Sequence, residues 1–297
     1  MHIGILTYDD EWAGEVIHGV SKVLSDAKIE VIGISEVELC APLKYDIILD
    51  RQSYLEPYLR CAMKHAALHG TYVINNPFSC SLDDKFFFYG IARTLNLKIP
   101  KTLLLPPQDP DYEFGHVIPQ LSTDWIRSQI SFPAVLKPVN GYAWRNVFFV
   151  NNMDELITAY NKTGNETMIL QEKVNYDEYV RAFVVGKKHV LPVKYIPEER
   201  KYIHSPNFLD DAKQREITDI CRKLNEVLDY DINTVEIGLC NGDPYLIDFS
   251  NYVPEIRTYN LPPECYDWVV MRIIDLIVEY AKEMPHKKNR IPFFLGK

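Results

Sequence analysis

The chain has 297 residues, with 32 basic against 41 acidic side chains and a formal net charge of -9 at pH 7. That balance excludes a broad basic face for duplex phosphates, so any anionic ligand must be met by a local cluster of cations. With 47% hydrophobic and 25% charged residues the composition is that of a folded protein and not of a disordered one.

The apolar run in MHIGILTYDDEW is too short for a secretory signal, and no later run reaches the roughly 20 apolar residues of a membrane span. The expectation is a cytoplasmic protein with neither a membrane nor a nucleic-acid partner. Cys40, Cys61, Cys80, Cys221, Cys240 and Cys265 show no Cys-x-x-Cys pair, which points to reduced thiols and away from zinc or disulfides.

In chain order, HIGILTY predicts a strand, Ala13 to Ala27 a helix, and IEVIGI and YDIILD two further strands, a βαβ pattern that implies a parallel sheet. A helix over Tyr58 to His69 stops at Gly70, and the strand TYVIN follows. After the first strand stand Tyr8, Asp9 and Asp10, where a dinucleotide fold needs glycines, which weakens a dinucleotide-binding reading. Ser81 or Asp83 is placed to cap a helix running to about Asn96, and KTLLLP is a strand. Pro106 to Pro119 reads as a loop. FPAVLKP and NVFFVNN are strands around a short loop, followed by a helix over Met153 to Asn161. TMILQEKV, YVRAFVVG and HVLPVKYI read as three consecutive strands, Asp211 to Leu228 as a helix, NTVEIGL and PYLIDFSN as a hairpin, and Tyr266 to Glu283 as an amphipathic helix. The coarse architecture is a parallel α/β segment followed by two α+β lobes. The apolar stripe of the last helix, with Val269, Ile273 and Ile277, is expected to pack on its own domain, and a homo-oligomer is not legible.

Four features carry chemistry. Lys137 ends an apolar strand, so its ammonium either snorkels to solvent or meets an anion. Glu236 and Asp248 lie on the two arms of the hairpin. An even Asn241-Gly242 turn would put them on opposite faces, whereas a three-residue loop with Gly242 left-handed puts them on one face, and the latter is expected. With Asn251 they then make a hard oxygen site suited to Mg²⁺ carrying substrate phosphates. Gln171, Glu172, Lys173 and Val174 end a strand whose backbone groups can imitate base pairing to adenine. Arg181, Lys194 and Lys85 supply further cations suited to phosphate.

In this order the motifs resemble the ATP-grasp superfamily, in the branch of glutathione synthetase and the peptide-tail ligases. DDKFFFYGIARTLNLKIPKT resembles its helix-then-strand entry, FPAVLKP its lysine strand, ILQEKV its adenine hinge, EYVRAFVVG the following strand with its arginine, and VEIGLCNGDPYLIDFSN its metal-bearing strands. The resemblance covers about Ser81 to Glu255. It implies an N-terminal α/β domain (1–80) followed by a two-lobed fold with ATP between the lobes, the first over 81–165 and the second over 166–297. It further implies ATP and Mg²⁺, with Mn²⁺ as a substitute. Lys85 and Lys137 would contact phosphates, and Gln171, Glu172, Lys173, Val174 and Glu178 the rest of the nucleotide. Arg181 as catalytic arginine and Lys194 would lie near the triphosphate or the acceptor, and Glu236, Asp248 and Asn251 would hold metal. The implied activity is an ATP-dependent carboxylate–amine or carboxylate–thiol ligase acting through an acylphosphate on small-molecule or peptide substrates. The alternative is a non-catalytic ATP-binding or regulatory protein on the same scaffold. Two departures stand out. The loop NGYAWRNV has only Gly141 where the family's loop is glycine-rich, so Tyr142, Trp144 and Arg145 become candidate substrate contacts. Ser250, at the family's spacing after Asp248, competes with Asn251 as third metal ligand. Arg51, Arg60, His65 and Asn76, with Arg200, Lys201 and His204, are candidates for gripping an acidic substrate.

Overall fold

A computed structural model of the chain describes residues 1–8, 10–80, 84–108, 121–141, 144–284 and 286–291. From the amino terminus, β1 (His2–Leu6), α1 (Ala13–Val23), β2 (Lys28–Ile32), β3 (Ile47–Asp50), α2 (Pro57–Leu68) and β4 (Tyr72–Ile74) alternate as the hydrophobic pattern predicts. Pro57 fits the first turn of α2 because it has no N–H to lose there, and Gly70 takes the left-handed conformation just beyond the helix. β1 pairs in parallel with β2 and β3, and β3 with β4, giving the order β2-β1-β3-β4.

Next come α3 (Pro77–Cys80), α4 (Lys85–Thr94), β5 (Thr102–Leu105), α5 (Thr123–Gln129), β6 (Ala134–Pro138), β7 (Phe148–Val150), α6 (Met153–Tyr160) and β8 (Met168–Glu172). The cap of α4 is Asp84, whose carboxylate accepts the Phe87 N–H at 3.0 Å. Ser81 and Asp83, the expected caps, lie outside the described residues, as does most of the Pro106–Pro119 loop. The chain then forms β9 (Glu178–Val185), β10 (His189–Ile196), β11 (Lys201–Ile203), α7 (Asp211–Leu228), β12 (Ile232–Cys240), β13 (Asp243–Asn251) and α8 (Pro263–Glu283). β8 does not join β9 and β10 in one meander. It lies between β5 and β6 in a sheet of order β5-β8-β6-β7, while β9 and β10 belong to a sheet of order β11-β10-β9-β12-β13.

Packing gathers the chain into two compact units. The first comprises Met1–Leu82, Tyr179–Ile237 and Asp248–Lys297, the second Asp83–Glu178 and Gly238–Ile247. These units follow packing density, whereas the expected segments 1–80, 81–165 and 166–297 follow the order of motifs along the chain.

In the second unit the register places Lys137 opposite Ile169, Ile169 opposite Leu104, and Val135 opposite both Phe149 and Gln171. These six residues therefore share one sheet face. The reverse face, with Leu103, Leu105, Ala134, Leu136, Val150, Met168 and Leu170, buries against Ile126 of α5 and Leu156 of α6. Each such side chain contributes roughly 1.5–3 kcal/mol on burial, so the helices fix which face is left for other work.

In the first unit Leu6, Ile32, Ile48 and Val73 of the parallel sheet pack on Met63 and Ala66 of α2. Polar side chains tie this sheet to the five-stranded one. Asn75 accepts the Ile232 N–H at 2.6 Å and donates to the Ile232 and Tyr252 carbonyls, while fully buried Asp231 accepts from Tyr72 at 2.9 Å and Tyr280 at 2.6 Å. Burial pushes the Asp231 carboxyl above its ordinary pKa even though Lys187 lies beside it.

Candidate functional site

β12 and β13 are joined by two residues, Asn241 (φ 49°) and Gly242 (φ 80°), both left-handed. This is the type I′ hairpin turn, whose twist matches that of the strands, and it corrects the expected three-residue loop. Carried along a regular ladder, it would set Glu236 opposite Ile247 and turn Asp248 to the other face. The burial along β13 shows a break in that regularity. Pro244 and Leu246 are buried, Ile247 and Asp248 are both half-buried, and Phe249 and Ser250 are both buried.

Glu236 has close neighbours on β9. The Tyr179 hydroxyl donates to its Oε2 at 2.6 Å, and Arg181 Nε stands 3.3 Å from its Oε1. That nitrogen is close enough for an ion pair but misdirected for a hydrogen bond, and it is buried with no hydrogen-bond partner. Because Val193 is opposite Arg181 and Tyr202 opposite Tyr195, strand alternation collects Tyr179, Arg181, Phe183, Tyr195 and Tyr202 on one face. The guanidinium lies 5.3 Å from the Tyr195 ring centroid and 5.6 Å from that of Tyr202. Burial works to lower the Arg181 pKa, but the Glu236 carboxylate together with Tyr202, Tyr195 and Tyr179 holds the arginine above its ordinary value. The hydroxyl of Tyr202 is buried without a partner. Lys194, opposite Val180, belongs to the other face of the sheet, so the register does not bring it beside Arg181.

Among the described residues no three His, Cys, Asp and Glu side chains gather to hold an ion by themselves. Glu236, Asp248 and the hydroxyl of Ser250 are hard oxygen donors, which suits Mg²⁺, an ion that keeps water and phosphate oxygens in its shell and uses only one or two carboxylates. The donor set therefore fits magnesium brought in by a phosphate ligand.

In the second unit Lys137 is 8% exposed. Its ammonium donates to the Tyr89 hydroxyl at 3.0 Å and to the Ile247 carbonyl at 3.3 Å, and the Tyr89 hydroxyl also reaches that carbonyl. Gln171 is held inside the sheet, its amide donating to Thr102 Oγ1 at 2.8 Å. At the end of β8 the N–H of Glu172 donates to Lys101 O and that of Lys173 to Pro133 O, and Val174 follows half-buried. Lys173 Nζ lies 5.7 Å from the Phe149 ring centroid, and the Trp144 ring 6.2 Å from it. The Lys85 N–H donates to Val139 O, fixing the start of α4 at the end of β6. Glu178 opens β9, half-buried. In the glycine-poor loop Trp144 adopts φ 62° and is 41% exposed, while Tyr142 lies outside the described residues. A left-handed tryptophan costs about 1–2 kcal/mol.

The cations of the amino-terminal segment are committed elsewhere. Arg51 bonds Asp10 twice, at 3.1 and 3.2 Å, donates to Pro254 O at 2.7 Å and lies over Trp12. Arg60 donates to backbone carbonyls, Asn76 to Asp229 and Arg290 O, and His65 stacks on His69. Lys201 is exposed at the start of β11, Arg200 before it is exposed with φ 53°, and His204 stands 3.6 Å from Glu264. The sequence reading missed Tyr89, Tyr179, Tyr195 and Tyr202. For Tyr179 and Tyr195 a signal existed, since they lie two residues from Arg181 and from Val193 in strand spacing.

This architecture is the ATP-grasp fold. A D-alanine–D-alanine ligase from Bacillus anthracis, complexed with ATP, superposes with a TM-score of 0.67 at 16% identity, covering 98% of this chain and 100% of the other. An ATP-grasp RimK domain protein from Sphaerobacter thermophilus gives 0.68 at 14% identity over 94% and 99% of the two chains. The VanG D-Ala:D-Ser ligase of Enterococcus faecalis gives 0.67 at 13% identity over 94% and 98%. No family model matches the sequence, and no curated protein does. No described helix is long and apolar enough to cross a membrane.

Proposed function

We propose that the protein is an ATP- and Mg²⁺-dependent ligase that activates a carboxylate as an acylphosphate and joins it to an amine or thiol, on a small-molecule or peptide substrate. The observation that supports the reading is the Glu236 carboxylate, a hard oxygen donor held by the Tyr179 hydroxyl beside Arg181, in a chain with the ATP-grasp fold. Lys85 and Lys137 are assigned to phosphate charge, Gln171, Glu172, Lys173, Val174 and Glu178 to the rest of the nucleotide, and Arg181 to the triphosphate or the acceptor, with Lys194, on the other sheet face, left out of that role. Glu236 and Asp248, with Ser250 or Asn251, are assigned to the metal. Phosphoryl transfer depends mainly on positioning and charge neutralisation, and this inventory supplies both without a side-chain nucleophile. Bound Mg²⁺ would add charge neutralisation on the phosphate oxygens. Alanine at Lys137 or Asp248 should abolish ADP release in the presence of acid and amine substrates, and full Mg²⁺-dependent turnover in Asp248→Ala would refute the metal assignment. The loop with Gly141 alone and Trp144 left-handed favours a second reading, ATP binding without catalysis. Calorimetric ATP binding with no ADP formed across a panel of amino acids and peptides would select it.

A further inference from the structure

We infer that Tyr179 is a positioning residue for the metal-binding carboxylate of Glu236, an inference that rests on the reading of Glu236 as a ligand of the nucleotide's metal. A glutamate carboxylate turns about a broad terminal torsion, so a strand residue that must offer a fixed lone pair to an ion needs something to stop the rotation. Tyr179 does this. Its hydroxyl donates to Oε2 at 2.6 Å, within the range of short charge-assisted O–H···O⁻ bonds. Its ring is 5% exposed and packs on Tyr195 at 6.1 Å between centroids, so the hydroxyl has little freedom to follow a moving carboxylate. Arg181 supplies charge on the other oxygen but not direction, because its Nε–H does not point at Oε1. The hydrogen bond that orients the group thus comes from the tyrosine. A carboxylate offers about four lone-pair sites, so one bond from Tyr179 leaves room for a cation.

Residues that hold metal ligands in place typically change metal affinity about 10–100-fold when altered. Tyr179→Phe keeps the ring and removes only the hydroxyl. Mn²⁺ binding, followed by the spectrum of the free ion in the presence of a non-hydrolysable ATP analogue, should weaken by about that factor, while thermal stability and metal-free binding of the analogue stay as in the wild type. A purely structural role would move stability and leave Mn²⁺ affinity alone. Glu236→Gln separates the two claims. If it loses Mn²⁺ while Tyr179→Phe binds the ion normally, Glu236 is a ligand and the positioning role is wrong. If both variants bind Mn²⁺ as the wild type does, the ligand assignment of Glu236 fails, and the role of Tyr179 with it.

Discussion

The carboxyl end of the parallel sheet and the aromatic-lined face of the five-stranded sheet each set an arginine against a carboxylate. Arg51 grips Asp10 with two directed bonds and takes a backbone carbonyl with a third. Arg181 faces Glu236 through a single contact that is not a hydrogen bond, and lies over the adjoining rings of Tyr195 and Tyr202. An arginine that directs three bonds inward is a strut. One that lies over aromatic rings, charged but with an undirected Nε beside the half-buried Glu236, is where a ligand can complete the set.

The comparison can be broken most easily at Arg51. Removing one partner of a buried, bonded ion pair costs about 3–5 kcal/mol, so Arg51→Met should lower the unfolding free energy by that amount in urea titrations. A loss below about 1 kcal/mol would mean that the pair is not a strut. The pair also sets a pH dependence. Burial alone would raise the Asp10 carboxyl, but Arg51 outweighs it and holds the group below its ordinary value. The stabilisation is therefore present above the unfolded carboxylate pKa of about 3.9 and is lost as pH falls through the lower folded value. The stability gap between wild type and Asp10→Asn should close over that range. At the other pair the expected effect is on turnover. Arg181→Met should slow ADP release by at least about 100-fold, roughly 2.7 kcal/mol, with a smaller loss of stability than Arg51→Met. The smallest effect belongs to Tyr202, whose buried hydroxyl has no partner. An unsatisfied buried donor costs about 1–3 kcal/mol, so Tyr202→Phe should raise stability by about 1 kcal/mol, read as a higher urea midpoint at unchanged slope.

Which arginine was the strut was not legible in the sequence, because Arg51 and Arg181 both stand at or just past apolar strands and their partners lie 41 and 55 positions away. Local signals did better. The bounds of α7 coincide with those expected because Asp210 caps it, accepting the Lys213 N–H at 2.7 Å, and apolar residues recur at helical spacing. The short β11 and α5 were missed, since three residues carry no periodicity and the Ser122 cap of α5 sits beside a loop-like stretch. The placement of β8 apart from β9 depends on long-range pairing with β5 and β6, which hydrophobic alternation does not encode. The hairpin shows both limits. Asn241-Gly242 marks its turn, but the break in parity at Ile247 and Asp248 lies in the pattern of burial and not in residue types.

The central claim, that the protein binds a magnesium nucleotide and that Lys137 and Asp248 each contribute to its binding, is tested most directly by thermal unfolding with ATP and Mg²⁺ together and apart. At 100 times the dissociation constant the pair of ligands should stabilise the protein by about 2.7 kcal/mol, with most of that lost when Mg²⁺ is chelated or when either Lys137 or Asp248 is alanine. Stabilisation by ATP that is indifferent to Mg²⁺ and to Asp248→Ala, or no stabilisation at all, would contradict it.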